Sequence, residues 1–242
     1  MANDPNDIRV SLGRNLTHGL LDHLGKMIVS GSYDGIPFPT EAELSLQHGV
    51  SRSVTREAVK MLTAKGLLIA RPRQGTSIRP VSHWNLFDPD VLRWLLERKF
   101  SMELLSQFNQ LRVAIEPAAA ALAAQTAGPE ELALIDAGFA RMVAAEAGED
   151  DELEADIAFH VSVLKASGNP FLEQFRDVVR TALRTSIRLT NRIVGRTADL
   201  AAHGAVRQAI MDGNPEAARA AMAHIIDDVM VVIARNPGEH QG

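Results

Sequence analysis

Pro39-Thr40-Glu41-Ala42-Glu43-Leu44, followed by Gly49-Val50-Ser51-Arg52-Ser53-Val54-Thr55-Arg56-Glu57-Ala58-Val59-Lys60-Met61-Leu62, is the stretch that decides the fold. Thr40 with Glu43 three residues later forms a capping box that opens a helix. Gly49 closes that helix and supplies the tight turn between two helices. In the second helix Val54, Ala58, Met61 and Leu62 fall on one apolar stripe at helical spacing. Ser51, Arg52, Ser53 and Arg56 crowd its first turns. Those are the positions that a recognition helix pushes into the major groove.

The residues that follow read as a wing. Gly66 is a left-handed stop for the helix. Leu67–Ala70 and Thr76–Arg79 are two short strand candidates, and Arg71-Pro72-Arg73-Gln74-Gly75 joins them as a basic turn. Gly75 lets backbone approach DNA closely, and Arg73 reaches for a phosphate or the minor groove. Charge supports this reading. The chain carries 25 Lys+Arg against 30 Asp+Glu, net −5, which excludes a uniformly basic nucleic-acid binder. Residues 1–80 hold 10 basic and 7 acidic residues, however, and 46–80 hold 7 basic residues with Glu57 as the lone acid. A basic segment joined to an acidic partner domain gives phosphate attraction where it is needed.

A length of 242 residues suits two small domains, and 46% hydrophobic residues suffice for buried cores. There is no cysteine and hence no disulfide. The polar start Met1–Asp7 does not read as a leader, and the apolar run Val229–Ala234 is too short to span a bilayer. The expectation is a cytoplasmic protein with no membrane partner. A first helix is expected over Gly13–Ser30, with Leu16, Leu20, Leu24, Met27 and Ile28 on one face. The segment 81–90 reads as a linker, and Trp84, Phe87 and Trp94 are expected to dock the two domains together. Beyond Asp90 no strand is convincing. Helices are expected near 90–97, 101–125, 129–147, 150–167, 170–194, 197–212 and 215–235, with a kink at Pro117. The domains are therefore a winged helix-turn-helix over 1–80, the linker 81–90, a helical domain over 91–235 and a disordered tail over 236–242. The fold class is mainly α, an N-terminal winged helix-turn-helix with a two-stranded wing and a C-terminal all-α antiparallel bundle.

Chemistry concentrates at two places in the bundle. Asp156 and His160 lie four apart, one turn from each other on one helix face. A carboxylate and an imidazole so spaced can share a divalent cation, although such a pair is more often simply hydrogen-bonded. His203 and His224 are the further candidates, because a stable site needs three or four ligands. Arg112 sits between Leu111 and Ile115 and points to the core, where it needs Glu116 or a ligand carboxylate as partner. Arg184 and Arg188, four apart, are pocket candidates whose plainer reading is a solvated face. Asn169 reads as a helix cap.

The motifs Pro39–Leu44, Gly49–Arg52, Arg56-Glu57-Ala58, Leu62, Gly66-Leu67 and Gly75-Thr76 resemble the DNA-binding domain of the GntR family of bacterial transcription regulators. The likeness extends to the FadR-type subgroup with its all-helical FCD ligand-binding domain. The segment Trp84–Trp94 resembles the linker of galactonate-operon repressors. Carried over, the resemblance implies that Arg52 and Arg56 contact bases or phosphates, Ser51 and Ser53 act through hydroxyls, and Arg73 and Gly75 contact DNA from the wing. Two departures bear on the operator. Ala42 stands where the family often has Arg, and Val54-Thr55 reverses the usual polar-then-apolar order. The subgroup also implies a metal held by an Asp and a His four apart plus two later histidines. Asp156, His160 and His203 match that pattern. The family spacing places the fourth ligand at Ile225, so His224 stands one residue, or about 100°, away. The resemblance further implies that Arg112 holds the carboxylate of an effector.

The function expected is a DNA-binding repressor of a carbohydrate or organic-acid operon, acting as a homodimer on a pseudo-palindromic double-stranded operator. A small carboxylate such as a sugar acid releases it, with Arg112, Asp156, His160, His203 and Arg188 as effector contacts. A divalent metal, Zn²⁺ or Ni²⁺ rather than Mg²⁺, sits on Asp156, His160, His203 and His224. Without the fourth ligand, the first three hydrogen-bond the effector's hydroxyls instead. The alternatives are a sensor of lactate or another organic acid, and a metal-dependent hydrolase using Asp156, His160, His203 and Glu116. No Gly-rich phosphate loop or nucleophile triad supports catalysis, so no enzyme is expected.

Overall fold

The computed structural model describes residues 5–71, 75–98, 102–181, 183–184 and 199–235. In its first part, α1 (Pro5–Val29), α2 (Glu41–His48) and α3 (Arg52–Ala64) precede an antiparallel hairpin of β1 (Leu68–Arg71) and β2 (Gly75–Ile78). A single 3-10 turn (Val81–His83) then leads to α4 (Pro89–Arg98). The Thr40 hydroxyl accepts from the Glu43 N–H, and the Glu43 carboxylate accepts the Thr40 N–H at 2.8 Å, so the capping box forms as expected. Gly49 ends α2 at φ 62°. Ser51 caps α3 by accepting from the Val54 N–H. The hairpin register is Leu68↔Ile78 to Arg71↔Gly75, one residue from the expected strands. Pro72, Arg73 and Gln74 lie outside the described residues.

Two apolar faces are rotated from expectation. On α3 the buried residues are Thr55, Ala58, Val59 and Leu62, while Val54 and Met61 are half-buried at the rim. Thr55 is accommodated because its hydroxyl donates to the Ser51 carbonyl, which removes the cost of burying it. On α1, which starts at Pro5 rather than Gly13, Leu16 is 52% exposed, whereas Thr17, Leu20, Leu21, Leu24 and Ile28 are buried.

The segment after the wing belongs to this first part. The chain divides into compact units 1–99 and 100–242. The helix that the sequence reading gave to the bundle, α4, thus lies in the first unit. Trp84 and Trp94 are both buried in that unit's core, and the exposed Phe87 is not. Both indoles thus serve the core of the first unit. The Trp84 indole N–H donates to the Arg79 carbonyl at 2.9 Å, and that of Trp94 donates to Asp22 on α1 at 2.7 Å. Gly25 makes the room, since a Cβ there would come within 2.5 Å of the Trp94 ring. Lys65 at the end of α3 ties down the segment through Asp88 at 2.8 Å and Asp90 at 2.9 Å.

The second unit is all-helical as described: α5 (Met102–Thr126), α6 (Pro129–Glu146), α7 (Glu152–Ala166), α8 (Pro170–Glu173), α9 (Leu200–Met211) and α10 (Pro215–Arg235). The helix α5 runs through Pro117. Asp151 and Asp199 cap α7 and α9 with their carboxylates. Asn169 caps α8, as the sequence suggested. The single helix expected over 170–194 is interrupted after Glu173, and 185–198 lies outside the described residues, as does the tail 236–242. Small residues set the packing distance. Ala119, Ala120 and Ala123 of α5 are buried, and at Gly138 of α6 a Cβ would stand 3.0 Å from the Phe159 backbone of α7.

Candidate functional site

The first of two candidate sites is the start of α3. Ser51, Arg52, Ser53 and Arg56 are all exposed there. Their freedom differs. The Ser51 hydroxyl is already engaged as the cap and lies 2.8 Å from that of Ser53. Arg56 donates through Nε to Glu41 of α2 at 3.2 Å, so its guanidinium is steered by the preceding helix. Gly75 takes φ 82° opposite Arg71, a left-handed conformation that suits glycine. Arg73 falls outside the described residues.

The second is a cluster of buried polar side chains in the helical unit. Asn109, Arg112 and Glu116 line one face of α5 at spacings of three and four. Asp156 and His160 face inward from α7, and His203 from α9. All six are buried, Arg112 to 2% and Glu116 to 1% exposure. Arg112 donates through Nε to Glu116 Oε1 at 2.5 Å, through Nη2 to Oε2 at 3.4 Å, and through Nη1 to Asn109 Oδ1 at 3.2 Å. Glu116 Oε2 also meets His160 Nδ1 at 2.5 Å. On the far side, His203 Nε2 stands 3.3 Å from His160 Nε2 and 3.1 Å from Asp156 Oδ1, while His203 Nδ1 lies 2.7 Å from the Asp199 carbonyl.

These contacts assign the protons. A carbonyl oxygen only accepts, so His203 Nδ1 carries a hydrogen, and His160 Nδ1 carries one toward the Glu116 carboxylate. In the neutral rings both Nε2 lone pairs then converge on each other and on Asp156. Three lone-pair donors face to face repel unless a proton or a cation lies among them. Burial lowers the His203 pKa, but its bond to Asp156, the Asp156 charge and the Asp199 carbonyl outweigh that and raise it. Burial raises Asp156, yet the His160 and His203 imidazoles and Arg112 bring it below the carboxylate range. Glu116 is likewise raised by burial but held down to about 2 by Arg112 and His160. A divalent cation fits the same place, because one ligand atom each of Asp156, His160 and His203 lie within 4.8 Å of one another.

The structure thus gathers Arg112, Asp156, His160 and His203 and leaves other expected residues out. His224 on α10 is exposed, with Nδ1 3.8 Å from Asp228, while its neighbour Ile225 is buried. One residue of helical rotation turns His224 away. Arg184 pairs with Glu154 at the surface at 2.8 Å, and Arg188 is outside the described residues. The sequence reading missed Asn109, the contact of Glu116 with His160 and the Asp199 carbonyl. Of these only Asp199 left a signal, being a cap four residues before His203.

Comparison with known proteins finds a match in each of the two units. Residues 16–78 match the bacterial regulatory proteins of the gntR family, and residues 107–228 match the FCD domain. The chain is 35% identical over 208 residues to the uncharacterized HTH-type transcriptional regulator YieP of Escherichia coli (strain K12), spanning 85% of this chain and 90% of that one. It is 38% identical over 161 residues to the galactonate operon transcriptional repressor of the same organism, spanning 66% and 70%. Lar, which controls the expression of the agr system of Listeria monocytogenes, aligns with a TM-score of 0.57 at 17% identity over 88% of this chain and 96% of its own, a likeness of fold.

Proposed function

The chain belongs to the gntR family of bacterial regulatory proteins, with an FCD domain following its helix-turn-helix, and from that premise we propose that it is a repressor released by a small carboxylate bound beside a divalent metal. The charge of the buried cluster carries this reading. With both histidines neutral, Arg112, Glu116 and Asp156 sum to one negative charge in a site closed to water. A divalent cation on Asp156, His160 and His203 turns that to one positive charge, and a single carboxylate then neutralises it. Buried charge is costly unless paired, so the loaded site selects a monoanion. Among the described residues, three of the five N–H groups of Arg112 are engaged by Glu116 and Asn109, and its fork is of the kind that binds a carboxylate. Two imidazoles and one carboxylate favour Zn²⁺ or Ni²⁺ over Mg²⁺. A cation held by Asp156, His160 and His203 would supply Lewis acidity, while the residues hold and orient.

The effector class we favour is a sugar acid, supported by the relative that represses a galactonate operon. The helix-turn-helix reads double-stranded DNA, and a homodimer on a pseudo-palindrome is the arrangement that matches two such modules. Ligand binding acts only through a difference in affinity between the DNA-competent and DNA-released forms. The hydrolase alternative is set aside, because the family is one of transcription regulators and not of enzymes. Fluorescence anisotropy on DNA from upstream of the protein's own gene, with Zn²⁺ and a panel of aldonic and uronic acids, tests the proposal. Salt-sensitive binding released by one acid is the expected result. Tight binding indifferent to every acid, with and without metal, would overturn the effector reading.

A further inference from the structure

Glu116 does more than neutralise Arg112. We infer that Glu116 is the positioning residue of the metal site, fixing the tautomer and the ring orientation of His160 so that its Nε2 lone pair faces Asp156 and His203; this rests on the metal reading above. The geometry is specific. Glu116 Oε1 accepts from Arg112 Nε, and Oε2 accepts from both Arg112 Nη2 and His160 Nδ1. Arg112 is itself braced by Asn109, whose side-chain amide donates to the Leu105 carbonyl at 2.9 Å. The carboxylate plane is therefore held from one side and steers the imidazole from the other. Glu116 lies 44 residues from His160 and reaches it across two helices.

The physical reason is general. A neutral imidazole carries its single proton on either nitrogen, and the nitrogen with a fixed acceptor keeps it. With Nδ1–H given to Glu116, Nε2 is left as the ligating atom. His203 obtains the same result from the Asp199 carbonyl, so the two rings are set by two unlike acceptors. A carboxylate behind a ligating imidazole also raises its basicity, and losing such a partner costs about 10- to 100-fold in metal affinity.

The test uses the full-length, metal-stripped protein and Zn²⁺ alone, titrated against a chromogenic chelator. Removing Glu116 by itself would strand Arg112 in the interior, so the first variant is Arg112→Met with Glu116→Met, an apolar replacement of the pair that such sites tolerate. Its Zn²⁺ affinity should fall about 10- to 100-fold, and nitrogen NMR of His160 should show the proton leaving Nδ1. The second variant, Arg112→Met with Glu116→Gln, restores an acceptor and should return the proton to Nδ1 with part of the affinity. A Met–Met variant that binds Zn²⁺ like the parent, or a Gln variant indistinguishable from it, would overturn the role of Glu116. A parent protein that binds no Zn²⁺ would overturn the metal reading instead. Should the Met–Met variant not fold by circular dichroism, Glu116→Gln alone carries the test, with weaker Zn²⁺ binding expected and unchanged binding overturning the role.

Discussion

Charge is used in opposite ways at the two sites of this molecule. At the start of α3 the cations are exposed and loosely held: Arg56 retains 61% exposure while paired to Glu41. In the helical unit the side chains of Arg112 and Glu116 are each only 2% exposed and are bonded to each other. A surface pair contributes little to stability and is easily exchanged for a phosphate. A buried pair cannot be left half-made without a large penalty. The first arrangement is suited to a polyanion that comes and goes, the second to a closed cluster whose charges must stay paired.

Four measurements would break or sharpen this contrast. The largest effect should come from Arg112→Ala, which leaves Glu116 buried without its cation. Urea unfolding of the helical unit should show a loss of about 3–5 kcal/mol, and a loss below 1 would mean that water already reaches the pair. Arg52→Ala comes next. It should weaken operator binding by about 1–3 kcal/mol, roughly ten- to hundredfold, while leaving the melting temperature and Zn²⁺ affinity alone. Unchanged anisotropy would remove Arg52 from the reading surface.

An intermediate case is Asp22, which is partly exposed yet shares Trp94 with the core. Burial raises its pKa, but the bonds from Trp94, Arg93 and Lys26 overcome this and bring it from 3.8 to about 2. Its folded value is depressed, so its contribution is present above the ordinary carboxylate range and is lost as pH falls from about 4 through about 2. Asp22→Asn should therefore cost about 1 kcal/mol at neutral pH, read from tryptophan fluorescence during urea unfolding, with the difference closing in strong acid. A gap that persists at low pH would show that the charge is not what matters. The smallest effect belongs to His224→Ala, exposed and off the site. Stability should move by less than about 0.5 kcal/mol and Zn²⁺ affinity should not move; a tenfold loss would bring His224 back as a ligand.

Much of this was readable in the chain. The capping box at Thr40, the turn at Gly49 and the left-handed Gly66 act within a few residues, and local geometry follows from local chemistry. Asp156 with His160 was visible for the same reason, as was Arg112 with Glu116, since helical spacing puts both pairs on one face. Where expectation and structure part, the cause is partner choice. Leu16 and Thr17 are adjacent, and which one is buried depends on what α1 packs against. That Trp94 seeks burial was readable from its type, but the sequence does not say that Gly25 leaves the gap which takes it.

By itself, then, the sequence determined the element order, the caps and turns, the basic recognition segment, and the donor atoms available for a cation. Only the tertiary structure decided that Glu116 reaches His160, that the Asp199 carbonyl sets His203, that Ile225 rather than His224 faces inward, and that α4 belongs with the winged unit. The physical reason is range: helical periodicity and capping act over one or two turns of chain, whereas a buried hydrogen bond is chosen by whichever group packing brings within 3 Å or so.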